Sequence, residues 1–433
     1  MPELICAARV RGGSAYQVPA HPAPLDLDLR GNEGALPDPG LFAHLKSVDL
    51  LRRYPDTRPL REVCAAHFGV APERVLITAG GDDGLDRLCR ATLEPGRDLL
   101  MPTPGFEMTR RYAALAGAQV RAPEWPGARF PVEACLEALD EGVGLTALTT
   151  PNNPTGAVIG KENLEALITR AQQLGSVVLV DLAYVEFADE DPTAWALEYE
   201  NVVVLRTLSK AWGLAGLRVG VMLGHPKVLG WMAAAGAPYA VAAPSLALAQ
   251  AAVEQMATLK EGFVAQVRSE RLQVAAALEA AGCAVVPSQA NFVFARSPRA
   301  AWLADGLAGL GIGVRSFPGQ AGLEDALRVA LPPTEADGAR LRAALRTWAQ
   351  PSALLVDDGV SLEAPLPVRF GVPAGDLAGG WVLSADPARI AEARRCALLP
   401  VGLRSPSVPQ ETLFAAGAAR VLERPEQILE LLP

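Results

Sequence analysis

The chain has 433 residues, half of them hydrophobic and only 20% charged, the make-up of a compact protein with a large core rather than of a disordered one. A formal charge of −9 without any Lys/Arg cluster excludes a nucleic-acid surface, and four scattered histidines and six scattered cysteines offer no metal-ligand spacing. The cysteines read as thiols of a reducing compartment, and the N-terminal MPELICAARVRGG lacks the apolar segment of a signal peptide, so a cytoplasmic protein is expected.

Residues 1–40 are rich in Pro, Gly and Asp without a sustained period and read as an extended arm, holding Tyr16-Gln17 and Leu29-Arg30-Gly31-Asn32-Glu33. After Arg53-Tyr54-Pro55-Asp56, apolar Leu60, Val63, Cys64 and Phe68 at helical spacing predict a helix over 59–68. A strand at 75–78 runs into the glycine turn 79–84, with a helix expected over 85–93. Strand, glycine turn and helix start is the arrangement in which backbone N–H groups meet a phosphate. Another strand at 99–101 ends in Pro102-Thr103-Pro104-Gly105-Phe106, where the aromatic either stacks on a flat ring or joins the core.

The strand at 145–149 ends in TPNNPTG (150–156), whose asparagines between two prolines force a fixed turn with projecting amides. A helix over 162–173 leads to the apolar run 177–180 and then Asp181. This places a carboxylate at the strand edge where open α/β sheets bind ligands, with Tyr184 just beyond. The β-branched run 202–205 ends in Arg206-Thr207, then Ser209-Lys210, then Arg218. A lysine at the mouth of a buried strand, beside hydroxyls and an arginine, suits imine chemistry on a phosphorylated aldehyde. The amine forms the Schiff base while hydroxyls and guanidinium hold the phosphate.

Strands alternating with helices through Gly220 predict a mostly parallel, doubly wound sheet. The uncharged stretch 228–253 is long enough to cross a bilayer. Its Ala and Gly content, with Pro238 and Pro244 inside it, predicts a loop and a packed helix instead, and no membrane partner. A long helix over 245–281, short strands at 284–287, 291–295, 311–315 and 327–330, and a closing helix at 341–348 predict an α+β second domain.

Together these motifs resemble the fold-type I pyridoxal-phosphate aminotransferases, most closely the histidinol-phosphate group, over residues 14–348. They are RYPD (53–56), GGDDG (80–84), PNNPTG (151–156), D-x-A-Y (181–184), TLSK (207–210) and GLRVG (216–220). The resemblance implies that Lys210 holds the cofactor and moves the proton at the substrate Cα, and that Asp181 keeps the pyridine nitrogen protonated. Asn153 and Tyr184 would hydrogen-bond the phenolic oxygen, and Phe106 would stack on the ring. Gly81, Asp82, Thr207, Ser209 and Arg218 would bind the phosphate. Tyr54 would reach the neighbouring subunit's phosphate, implying a homodimer. Arg328 would pair with the substrate carboxylate. Tyr16, Asn32 and Arg315 would complete the substrate site, Tyr16 and Arg315 at its phosphate end.

The sequence departs from the family at three places. The usual Asp-Glu-Ala-Tyr is Asp181-Leu182-Ala183-Tyr184, Asn-Glu-Asn-Pro is Asn32-Glu33-Gly34-Ala35, and Val-Gly-Thr after the arginine is Ala330-Leu331-Pro332.

Family members end near residue 348. The remainder, with a strand before Asp357-Asp358, GWVLSADPARIAEA (380–393) and AAGAARV (415–421), resembles a haloacid-dehalogenase-like phosphatase. Such enzymes need Asp-x-Asp so that both carboxylates face one way. Adjacent Asp357 and Asp358, the lack of any lysine in the tail, and Asp386 alone where an acidic pair is usual predict a degenerate, non-catalytic module.

The expected organisation is an arm (1–40), a cofactor domain (41–244), a small domain (245–350) and the tail (351–433). The expected activity is transamination between histidinol phosphate and 2-oxoglutarate. Aromatic-amino-acid transamination, threonine-phosphate decarboxylation and a non-catalytic cofactor-binding regulator are the alternatives.

Overall fold

The computed structural model describes residues 4–11, 15–17, 20–358, 360–370 and 379–433. By internal contacts the chain forms two units. One contains Glu33–Arg268 and Val286–Asn291 besides the N-terminal residues; the other contains Tyr16–Asn32, Ser269–Val285 and Phe292–Pro433. Strands are numbered along the chain from β1 (Leu27–Asp28), which lies in the arm and belongs to the second unit.

The first unit is built on β2 (Val75–Thr78), β3 (Asp98–Leu100), β4 (Val120–Arg121), β5 (Val143–Thr149), β6 (Val177–Asp181), β7 (Val202–Thr207) and β8 (Gly220–Gly224). They form one seven-stranded sheet in the order β2-β8-β7-β6-β5-β3-β4, parallel except for β8, which runs against both its neighbours. The near-continuous apolar runs are explained by cover on both faces. Val178, Val180, Val202 and Val204 enter one core, while Val177, Leu179, Val203 and Leu205 enter the other. The strand period of two delivers alternate residues to opposite layers. Polar residues stand where β5, β6 and β7 end, at Thr149, Asp181 and Thr207, with Thr146 and Arg206 the buried polar exceptions inside β5 and β7.

Helix Gly80–Thr92 begins at the glycines themselves, earlier than the apolar period indicated. The uncharged stretch differs from expectation too. Pro226–Ala235 is helical, with Pro226 at its start and the His225 ring accepting from Lys227 N, before the small-residue helix Ala243–Gln255. The predicted single long helix is broken at Met256, whose side chain is buried in the core. Among the described residues no helix is long and apolar enough to cross a membrane, and no cluster of metal-ligating side chains occurs.

In the second unit, β9 (Ala284–Val286), β10 (Phe292–Arg296), β12 (Arg315–Ser316) and β13 (Ala326–Ala330) make a sheet ordered β12-β13-β10-β9. The two-residue β11 (Ile312–Gly313) pairs in parallel with β1 of the arm. The tail strands β14 (Leu354–Val356), β15 (Val368–Phe370), β16 (Trp381–Ser384), β17 (Leu399–Leu403) and β18 (Val421–Leu422) form a parallel sheet ordered β15-β14-β16-β17-β18.

The tail sheet packs against helices Ala300–Gly309 and Glu335–Ala349. Trp381 Nε1 donates to Thr347 O at 2.8 Å, Trp302 Nε1 donates to Leu431 O at 3.0 Å, and the Trp302 and Trp381 rings meet edge to face at 5.5 Å. Gly306 lets this happen, since a Cβ there would lie 2.5 Å from the Trp348 ring and 3.2 Å from Leu399. Within the tail, Asp357 accepts from Ser384 Oγ and Ala385 N, each at 2.9 Å, and pairs with Arg389 at 3.4 Å. Asp386 caps helix Pro387–Arg395 by accepting from Ala388 N.

Candidate active site

The carboxyl ends of β5, β6 and β7 lie side by side, because Thr149 pairs with Asp181 and Asp181 with Leu205 in register. Asp181 is buried, and burial pushes its carboxyl up to about 6. A hydrogen bond from Ala183 N (3.0 Å) and the charge of Lys210 oppose that rise, while Asp82 adds to it. Lys210 follows the end of β7 with its Nζ 5.7 Å from the Tyr184 ring centroid. Asn153 Nδ2 donates to the Tyr184 hydroxyl at 3.5 Å.

The two asparagines of the PNNPTG turn divide their work. Asn152 is buried and spends its amide on Pro104 O and Thr155 Oγ1, both at 2.9 Å, which builds the turn. Asn153 is left to reach Tyr184. Phe106 sits at the start of helix Glu107–Ala116, partly buried against the core.

A second cluster gathers around the first turn of Gly80–Thr92. Arg218, held at φ 53°, donates to Asp82 at 3.2 Å and Ala215 O at 3.1 Å. Gly80 has φ 80°, a backbone conformation that strains any L side chain, and a Cβ there would also displace the Arg218 guanidinium, whose Nη2 would lie 2.5 Å away. Thr207 Oγ1 donates to Ser209 Oγ at 3.0 Å and accepts from Ser209 N at 3.1 Å. Gly220 lies opposite both Thr78 and Thr207, with a virtual Cβ 2.6 Å from Gly80 backbone. Free helix N–H groups, two hydroxyls and a guanidinium thus face one region, a donor set suited to a phosphate dianion. A buried carboxyl, a lysine and a hydrogen-bonded phenol stand beside it. These residues fit a phosphorylated aromatic aldehyde with a ring nitrogen.

Tyr54 is not part of this assembly. It is exposed and stacks on Tyr239 at 4.7 Å. The remaining expected residues lie in the second unit, where β12 and β13 set Arg315 directly opposite Arg328. Both are buried; Arg315 lies 5.9 Å over the Tyr16 ring and Arg328 5.2 Å over Phe292. Arg315 Nη1 has no hydrogen-bond partner among the described residues. Arg328 Nη2 donates to Arg30 O at 2.7 Å. Asn32 is buried with φ 53°, a conformation that asparagine tolerates better than most residues.

Three features escaped sequence reasoning. Arg206, buried on β7, pairs with Glu186 at 3.0 Å and Asp191 at 2.7 Å and lies over Phe68. Burial works against its charge, yet the two carboxylates outweigh it and the guanidinium holds its proton more tightly. The signal was present, since a charge inside a buried strand requires partners. Tyr112 lies near Asp82 and Asp86; burial and then those charges push its phenol upward. Gly34 had no local signal. A Cβ at 34 would lie 2.0 Å from Lys210 O, and one at Gly213 would lie 2.1 Å from Ala35 O, so the arm crosses the lysine loop at backbone contact.

Residues 41–345 match the family model described as aminotransferase class I and II. The chain is 33% identical over 328 residues to histidinol-phosphate aminotransferase 3 of Mesorhizobium japonicum, covering 74% of this chain and 88% of that one. It is 36% identical to the histidinol-phosphate aminotransferase of Cronobacter sakazakii, covering 70% and 85%. Among solved structures, the histidinol-phosphate aminotransferase of Sinorhizobium meliloti in complex with pyridoxal 5'-phosphate is 25% identical with a TM-score of 0.66, covering 74% and 90%. With a lysine and a buried carboxyl at neighbouring strand ends, and a match over most of its length, this chain belongs to the class I and II aminotransferase family.

Proposed function

We propose that the protein is a pyridoxal-phosphate-dependent histidinol-phosphate:2-oxoglutarate aminotransferase. The observation that carries the reading is Lys210 and buried Asp181 at adjoining strand ends, in a chain about one-third identical to histidinol-phosphate aminotransferases. When bound, pyridoxal phosphate supplies an aldehyde that takes up an amino group and a ring that draws electrons from the bond to be broken.

Lys210 provides the amine that binds the aldehyde and carries the proton to and from the substrate Cα. Asp181 holds a proton at the ring nitrogen. Its burial serves this role, because a low-dielectric carboxylate binds a cationic partner strongly. Tyr184, oriented by Asn153, donates to the phenolic oxygen, and Phe106 covers the ring. The N–H groups of Gly81 and Asp82, with Thr207, Ser209 and Arg218, hold the phosphate.

Arg328 pairs with the glutamate carboxylate, Tyr16 and Arg315 receive the phosphate-bearing end of histidinol phosphate, and Asn32 lines the same substrate site. A buried guanidinium with an unfilled N–H favours an anionic ligand at Arg315. We also propose a homodimer in which exposed Tyr54 serves the neighbouring subunit. All six cysteines are free thiols, in keeping with work in the cytoplasm.

The test is an absorbance titration of the cofactor-loaded protein with L-histidinol phosphate, glutamate, phenylalanine and O-phosphothreonine. Conversion of the bound cofactor to its amine form at the lowest concentration with histidinol phosphate is expected. Conversion by phenylalanine alone removes the histidine-pathway substrate, and failure to bind the cofactor removes the enzyme.

A further inference from the structure

The arm segment 21–30 has little regular structure of its own, yet it is gripped along its length inside the second unit. His21 Nδ1 accepts from Ala23 N at 3.0 Å, which leaves Nε2 to donate to Ala419 O of the tail at 2.9 Å. The His21 ring also meets Phe414 edge to face. Asp26 receives two arginines. Arg340 of helix Glu335–Ala349 reaches it at 2.9 Å, and Arg394 of the tail helix Pro387–Arg395 also at 2.9 Å. Arg394 uses its other arm on Pro24 O at 2.6 Å. Gly311 makes room for the three side chains, since a Cβ there would lie 2.0 Å from the Asp26 carboxylate and 2.7 Å from each guanidinium.

From Asp26 the grip continues along the backbone. Asp26 N and Leu27 N donate to Gly311 O, Leu29 N donates to Gly313 O at 2.8 Å, and Arg30 O accepts from Arg328 Nη2. The path from the tail to Arg328 is therefore an extended segment whose amides are bonded at nearly every step. A guanidinium that binds a carboxylate with two parallel N–H groups must have its plane set beforehand, and the Arg30 carbonyl bonds one nitrogen of that plane.

We propose that the C-terminal module is a positioning element for substrate binding. Arg394, with Arg340, clamps Asp26, and the clamped arm presents the Arg30 carbonyl that orients Arg328. This rests on the proposed role of Arg328 toward the glutamate carboxylate. The module then acts through its fork of contacts to Asp26 and Pro24, and needs no reaction of its own. Asp357 and Asp386, the acids a phosphatase would use, are occupied as a hydrogen-bond acceptor and a helix cap.

The test uses the full-length, cofactor-loaded chain with Arg394→Ala, Arg394→Lys, Asp26→Asn and, as a control on the same helix, exposed Arg395→Ala. Hydrogen exchange at Asp26, Leu27 and Leu29 reports the grip without reference to activity. Exchange there should accelerate in Arg394→Ala and Asp26→Asn, less in Arg394→Lys, and not in Arg395→Ala. KM for glutamate should rise about tenfold with kcat within about twofold, the scale of one charge-assisted hydrogen bond acting on binding. The visible band of the bound cofactor should stay intact.

Unchanged exchange overturns the clamp. Faster exchange with unchanged KM, or an Arg395→Ala effect equal to that of Arg394→Ala, overturns the positioning role. If the parent enzyme transaminates no donor, the proposed function fails, while the exchange data still decide whether the tail grips the arm.

Discussion

At the scale of single residues, the site is set by what burial does to charge. Asp181 has its carboxyl raised from 3.8 to about 6, so in the cofactor-free chain the folded state holds a proton that the unfolded state has lost across that window. The folded state binds more protons there, so its stability falls as pH rises from about 4 through 6 and levels off above, a penalty of roughly 3 kcal/mol. Cofactor-free Asp181→Asn should lack this slope and denature at higher temperature than the parent at pH 7.5, with the gap closing near pH 4. The same variant should lose transaminase activity in the loaded enzyme, because asparagine cannot hold a proton at the ring nitrogen. Lys210→Ala should abolish the visible band of the bound cofactor and lower turnover by at least the roughly 10²–10⁴-fold attributable to a positioned acid/base group. Arg315→Ala should raise KM for the phosphorylated substrate by about 10–100-fold, as loss of a charged hydrogen bond would, and leave that for glutamate nearly unchanged.

At the scale of elements, the central strands were legible because two covered faces demand continuous apolar runs, and β6 and β7 appear where those runs lie. Asp181 was legible for the same reason, being the first polar group after such a run, and Lys210 because it follows the next run within a short polar segment with Thr207 and Ser209. What hid from the sequence was whatever depends on a distant partner. The two-residue β1 and β4 carry too few residues to show a period, β8 gives no sign that it will run antiparallel, and the crossing at Gly34 is a contact between segments far apart in the chain. Of the substrate residues, Arg315 and Arg328 were expected separately; only the antiparallel register sets them side by side. The Arg206 ion pairs lock β7 just before the lysine. Arg206→Leu would strand Glu186 as a buried, unpaired carboxylate, and should cost about 3–5 kcal/mol in chemical denaturation.

At the scale of the whole molecule, the tail is packed and hydrogen-bonded into the second unit rather than appended to it. Its strand order has the first strand internal, the arrangement of doubly wound nucleotide and phosphate binders. The carboxyl edge of that sheet is closed by Asp357, which accepts from Ser384 and pairs with Arg389. Phosphatase assays on the purified chain should therefore give no turnover of histidinol phosphate above background, and a measurable rate would reverse this reading of the tail.

The join between tail and second unit also has an optical consequence. Trp302, Trp348 and Trp381 are all buried there, with the Trp302 and Trp381 rings 5.5 Å apart. Indoles so close and so fixed couple their excited states, and their emission shifts to the red once water reaches them. Three of the seven tryptophans thus form an intrinsic fluorophore for the docking of this module. Undocking can be followed in unlabelled protein, by a red shift and loss of near-ultraviolet dichroism, while the cofactor band independently reports the first unit.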